Sequence, residues 1–239
     1  MRTTIKAVAA MAIVGLLASG AWADMFVKVT TPYGSQGPFA AEVTNGWAAQ
    51  PGSPILGRPV GTGFTTFCLE ENEYFSSGRI YRVALSNQAV LGGGGPNPDP
   101  LDVRTAWLYE QFMTGLLAGT YGAYTFTNGD LASEQALQAA IWYIEQEIGS
   151  VSGLAAALEA AAGTAVGSGN YTGSRVQVMN LYYTAADGNV DNLGSIHDKI
   201  AQDGTHLRQS MLVCVPAPGA IALGLLGLGL VGWVKRRMA

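Results

Sequence analysis

The chain has 239 residues, of which 13 are basic and 17 acidic, giving a formal net charge of −4. Only 13% of residues are charged, glycine occurs 32 times and cysteine twice. This composition, with no internal repeat of solenoid or propeller period, argues against a nucleic-acid or anionic-lipid surface, a disulfide-built scaffold and a repeat array.

Residues 1–23 read as a secretory signal. Arg2 and Lys6 precede the apolar run Ala7 to Leu17, and Ala21-Trp22-Ala23 forms a small-x-small cleavage site before Asp24. The apolar run is too short to cross a hydrocarbon core of ~30 Å as a helix. Residues 24–214 form the body, which holds all 17 acidic residues but 8 of the 13 basic ones. At about 190 residues it is long enough to bury a core of its own.

Within the body, Met25 to Thr30 alternates enough to predict a strand, and a polar, Gly/Pro-rich stretch follows from Pro32 to Gly63. Phe64 to Leu69 and Ile80 to Leu85 are β-branched and aromatic, and predict two more strands. Gly92 to Pro100 predicts an exposed loop. Its glycines lack the Lys and Ser/Thr of a phosphate cradle, so it carries no nucleotide signal.

Helical periodicity takes over after Pro100. Asp102 can cap a helix to about Leu117, with Ala106, Tyr109, Met113 and Leu116 on one face. Ser133 can cap a second helix, on which Leu137, Ile141, Ile144 and Ile148 recur at helical spacing until Gly149 stops it. Leu154 to Ala162 and Val176 to Ala185 predict two further helices, and Leu207 to Val215 a last strand. Strands at both ends around a helical middle make an α+β body.

After the body come Pro216-Ala217-Pro218, an uncharged run from Gly219 to Val234, and Lys235-Arg236-Arg237. The run predicts a single C-terminal membrane-anchor helix over 219–234, and the basic end places the C-terminus on the cytoplasmic side with the body outside. This order resembles the PEP-CTERM sorting tail over residues 215–239, with Ala217 where that family usually has Glu. The resemblance implies an exosortase-type membrane protease as processing partner and display in a cell envelope or extracellular matrix.

Two short motifs carry the chemistry. Phe67-Cys68-Leu69-Glu70 sets a cysteine at a strand edge behind an aromatic residue, and Leu137-Gln138-Ala139-Ala140-Ile141-Trp142 sets a glutamine on the first turns of a helix. Over about residues 64–148 they resemble the thioester (TQXA-like) domains of bacterial surface adhesins. That resemblance implies a bond between Cys68 and Gln138, with Leu137 in place of the usual Thr. A thiolate attacking the Gln138 carboxamide would expel ammonia, a step that depends on tight positioning, where effective molarities reach ~10⁵–10⁸ M. Phe67, Trp142 and Tyr143 are the expected apolar surround. A partner amine or hydroxyl would then be captured covalently, so the expectation is an adhesion or binding protein, not an enzyme. The alternatives for Cys68 are an inert buried thiol, as in a non-reactive matrix protein, and a disulfide to Cys214.

Other candidates are thinner. Asp187, Asn189, Asp191 and Asp198 imitate the oxygen ligands of a calcium loop, but Asn192 stands where glycine is needed, and a solvated turn is the alternative. His197 and His206 have no metal-site spacing, and no cofactor is expected. Glu145 and Glu147 fall on different helix faces and read as solvated.

Overall fold

A computed structural model describes residues 25–44, 61, 63–90, 94, 96, 98–183 and 207–215. The expected signal, calcium loop, sorting motif, anchor and basic end lie outside these residues.

In chain order the strands β1 (Met25–Thr30), β2 (Phe39–Thr44), β3 (Gly63–Thr66) and β4 (Ile80–Ser86) come first. The short β5 (Gln88–Ala89) and β6 (Asp99–Pro100) pair with each other and lead into helix α1 (Val103–Met113). A small hairpin, β7 (Gly119–Tyr121) and β8 (Tyr124–Phe126), precedes α2 (Leu131–Ile144) and α3 (Gly153–Val166). β9 (Val176–Tyr183) and β10 (Leu207–Cys214) complete the described chain, and the architecture is α+β.

Six strands form one antiparallel sheet in the order β10-β9-β4-β1-β2-β3. Its two edges meet. Just past β3, Cys68 bridges Met211 of β10, Leu69 N–H donates to Ser210 O at 2.9 Å, and Leu212 N–H donates to Phe67 O at 3.0 Å. The Thr66 hydroxyl adds a bond to Leu212 O at 2.7 Å. The sheet thereby closes into a barrel, which satisfies edge groups that would otherwise stand open.

Alternation along the strands fills the barrel. Val27, Val29, Ala41, Val43, Tyr81, Val83, Met179, Leu181, Met211 and Val213 share one buried cluster with Cys68. Lys28, Ala40 and Glu42 lie between them in sequence and are exposed. The outer wall of β9, β10 and the Phe67–Leu69 segment is covered instead by helices. There Phe67, Leu69, Val176, Val178 and Leu212 pack with Tyr109, Leu137, Ile141 and Leu158.

The helix expected over Val176 to Ala185 is corrected to strand over Val176–Tyr183. Val176 and Val178 face the helices while Met179 and Leu181 face the barrel interior. A strand buried on both sides loses the period-two signature and reads as a continuous apolar run. β2 lies inside the polar, Gly/Pro-rich stretch from Pro32 to Gly63, where no strand is expected, and alternates buried and exposed residues. α1 stops at Met113, so Leu116 stands 69% exposed instead of on the apolar face.

The cap of α2 is Asp130, not Ser133. The Asp130 carboxylate accepts the Ser133 backbone N–H at 2.9 Å and its hydroxyl at 2.8 Å. α2 ends at Ile144 before reaching Gly149, leaving Ile148 half-buried beyond it. In the Gly92–Pro100 segment, Gly94, Pro96 and Pro98 are exposed, but Asp99 is buried in β6. Among the described residues, no helix is long and apolar enough to cross a membrane.

Candidate functional site

The site forms where the barrel wall meets α2. Leu137, Ile141 and Ile144 are buried in the helical cluster and fix the rotation of α2. Gln138, one residue past Leu137, is then directed at the seam between β3 and β10. Cys68 sits in that seam because Phe67 and Leu69 take the helix side and leave it the interior side.

The two groups, 70 residues apart, meet through a paired hydrogen bond. Cys68 N–H donates to Gln138 Oε1 at 2.9 Å, and Gln138 Nε2 donates to Cys68 O at 2.8 Å. Both residues are buried, at 3% exposure for Cys68 and 0% for Gln138. The two bonds close a ring that sets the amide carbon of Gln138 across from the Cα bearing the thiol. The Cys68 N–H also lies where negative charge would develop on Oε1 during attack on that carbon.

Gly37 covers the other side of the carboxamide. Its φ is +67°, and a Cβ there would lie 3.0 Å from Gln138 Oε1 and 3.3 Å from Gln138 Cγ. Glycine is therefore required twice, by the backbone conformation and by the close approach. The sequence signal for it, a Gly-Pro pair between two strands, reads only as a turn.

Of the three expected surround residues, Trp142 is half-buried and packs against the cluster that contains Cys68. Phe67 is fully buried but belongs to the helix side, edge-on to Phe112 at 5.2 Å and Tyr109 at 6.2 Å. Tyr143 is 37% exposed on the outside of α2. Cys214 is half-buried and packs on the helix side, opposite Cys68, and both cysteines are free.

Carboxyl groups gather beside the cysteine. Glu70 is 2% exposed. Its Oε2 accepts Ser210 N–H at 3.1 Å and lies 3.5 Å from Gln209 Nε2, while its Oε1 has no partner among the described residues. Burial, then the charge of Glu73, pushes the Glu70 carboxyl up to about 9, against the Ser210 bonds. Burial and Glu147 raise Glu73 to about 7, with Arg208 opposing. Burial raises the Cys68 thiol as well, and Glu70 and Glu73 add to that rise. The thiol is thus held protonated at neutral pH.

Glu145 and Glu147 are not the solvated pair expected. Glu145 is buried, accepts Asp102 N–H at 3.2 Å, and is pushed up to about 8, mainly by desolvation. Glu147 accepts Glu71 N–H at 3.1 Å and a second backbone N–H from Gly94, tying the loop after Cys68 to the glycine-rich segment. No group of three or more His, Cys, Asp or Glu among the described residues could hold a metal ion. The chain matches no protein-family model, no curated protein and no solved structure.

Proposed function

We propose that this chain is an exported, envelope-displayed binding protein that captures a partner covalently through a thioester between Cys68 and Gln138. The observation that carries the reading is the paired hydrogen bond between the Gln138 carboxamide and the Cys68 backbone. It holds the electrophilic carbon beside the residue that bears the nucleophile, in a water-excluded position with a donor on the carbonyl oxygen. A partner amine or hydroxyl opens the bond and stays attached to Gln138 as the Cys68 thiol is released. The bond is used once, so the protein does not turn over.

The signal at residues 1–23 and the tail at 215–239 support export, followed by processing by an exosortase-type protease, with the body outside the cytoplasmic membrane. A second reading is favoured by the complete burial of the pair. In it, Gln138 is a clamp that satisfies the Cys68 backbone in a non-reactive matrix protein. Methylamine separates the two. Covalent attachment of methylamine at Gln138, with one thiol appearing at Cys68 for each adduct, is expected of the thioester. No adduct, and a thiol that titrates only on unfolding, would leave the clamp.

A further inference from the structure

A buried thiol cannot shed its proton to water, and the condensation must also deliver a proton to the departing nitrogen. The charges that reach Cys68 among the described residues are those of Glu70 and Glu73. Glu73 is only half-buried and answers to Glu147 and Arg208. Glu70 is different. It stands two residues past Cys68 on the same segment, beside β10, and is almost fully buried. β10 holds its Oε2 through Ser210 N–H, and its Oε1 is left without a partner among the described residues. A glutamine would accept the same Ser210 bond without the cost of burying an ionisable group, so packing does not account for a carboxyl here.

We propose, on the thioester reading, that Glu70 is the proton carrier of the Cys68–Gln138 reaction. Its carboxylate takes the thiol proton as sulfur attacks the Gln138 amide carbon. The carboxyl so formed returns that proton to the nitrogen as the carbon–nitrogen bond breaks and ammonia leaves. One S–C bond forms, one C–N bond breaks, and Glu70 ends as it began. Capture of an amine is the same sequence run backwards: Glu70 takes a proton from the incoming amine and gives it to the Cys68 sulfur. The groups whose charge or hydrogen bonds reach Glu70 are Glu73 on its own segment, Glu147 from beyond α2, and Gln209 and Ser210 from β10, and its own charge reaches Cys68.

The test uses the full chain, its Glu70→Gln variant, and hydroxylamine, which is already unprotonated at neutral pH. Intact mass reports the loss of ammonia and then the hydroxylamine adduct over time. Glu70→Gln, folded by circular dichroism, is expected to keep its full calculated mass, or to open about 10²-fold more slowly than wild type. The wild-type opening rate should rise with pH and level off near pH 9 as Glu70 ionises, a profile readable even where the variant does not fold. A Glu70→Gln chain that loses ammonia and opens at the wild-type rate would overturn the proposal, as would a flat wild-type profile. A wild-type chain of full calculated mass would instead overturn the thioester reading on which the proposal rests.

Discussion

At Gln138, two hydrogen bonds to the backbone of Cys68 take up the side chain's carbonyl oxygen and its amide nitrogen. In a Cys68→Ala background, where no thioester can form, Gln138→Ala removes both bonds at a fully buried site and leaves the backbone N–H and C=O of residue 68 unpaired. A loss of about 2–6 kcal/mol in urea unfolding is expected, because each of the two unsatisfied groups costs about 1–3 kcal/mol. Gly37→Ala drives a methyl group toward Oε1 and forces an L-residue into a left-handed conformation. It should cost at least about 1 kcal/mol and lower the fraction of chains that lose ammonia, since the carboxamide must shift away from Cys68. Unchanged stability and unchanged mass in Gly37→Ala would show that the turn does not hold the site. At this scale the sequence was partly legible. Cys68 and Gln138 each sit in a short apolar motif that points to them, whereas Glu70 belongs to the acidic run Glu70-Glu71-Asn72-Glu73 and looks like a solvated turn. Its burial comes from β10, whose contribution lies 140 residues away at Ser210.

Elements that use both faces were the hardest to read. β9 is buried toward the helices and toward the barrel interior, so its pattern mimicked a helix. β2 was hidden in a glycine- and proline-rich stretch although its own six residues alternate. The helices α1 and α2 were legible because each buries one face, but their ends were not, because side-chain caps and turns decide them. A polar tie within the barrel wall joins several elements at once. Asn180 of β9 is fully buried, accepts from Val90 N–H at 3.0 Å and the Ser210 hydroxyl at 3.0 Å, and donates to the Ser86 hydroxyl at 3.0 Å and Gln88 O at 3.2 Å. Asn180→Ala should therefore destabilise by about 2–4 kcal/mol. Thermal unfolding within about 0.5 kcal/mol of wild type would show that these bonds are dispensable.

Across the whole molecule, buried carboxyls make the fold sensitive to alkali. Glu70, Glu145 and Glu73 are raised from 4.5 to about 9, 8 and 7. The folded chain therefore binds more protons than the unfolded chain above pH 4.5. Their contribution to stability is fully present below that pH and is lost as pH rises toward 9. The melting temperature should fall steadily from pH 5 to pH 9. Glu145→Gln keeps an acceptor for Asp102 N–H and should flatten that fall, with a gain on the order of 1–3 kcal/mol at pH 8. A melting temperature that climbs over the same range would contradict the burial of these groups. The closed barrel explains why so many polar groups are sealed in: its helix-covered seam is where Cys68, Gln138, Glu70 and Ser210 come together.

The central claim is a covalent one, and intact mass tests it directly. The gently purified body should be lighter than its sequence by one ammonia, and Cys68→Ala and Gln138→Ala should each restore the calculated mass. A disulfide would remove two hydrogens instead, require Cys214 and respond to reductant. A wild-type body at its full calculated mass, with two free thiols, would contradict the account.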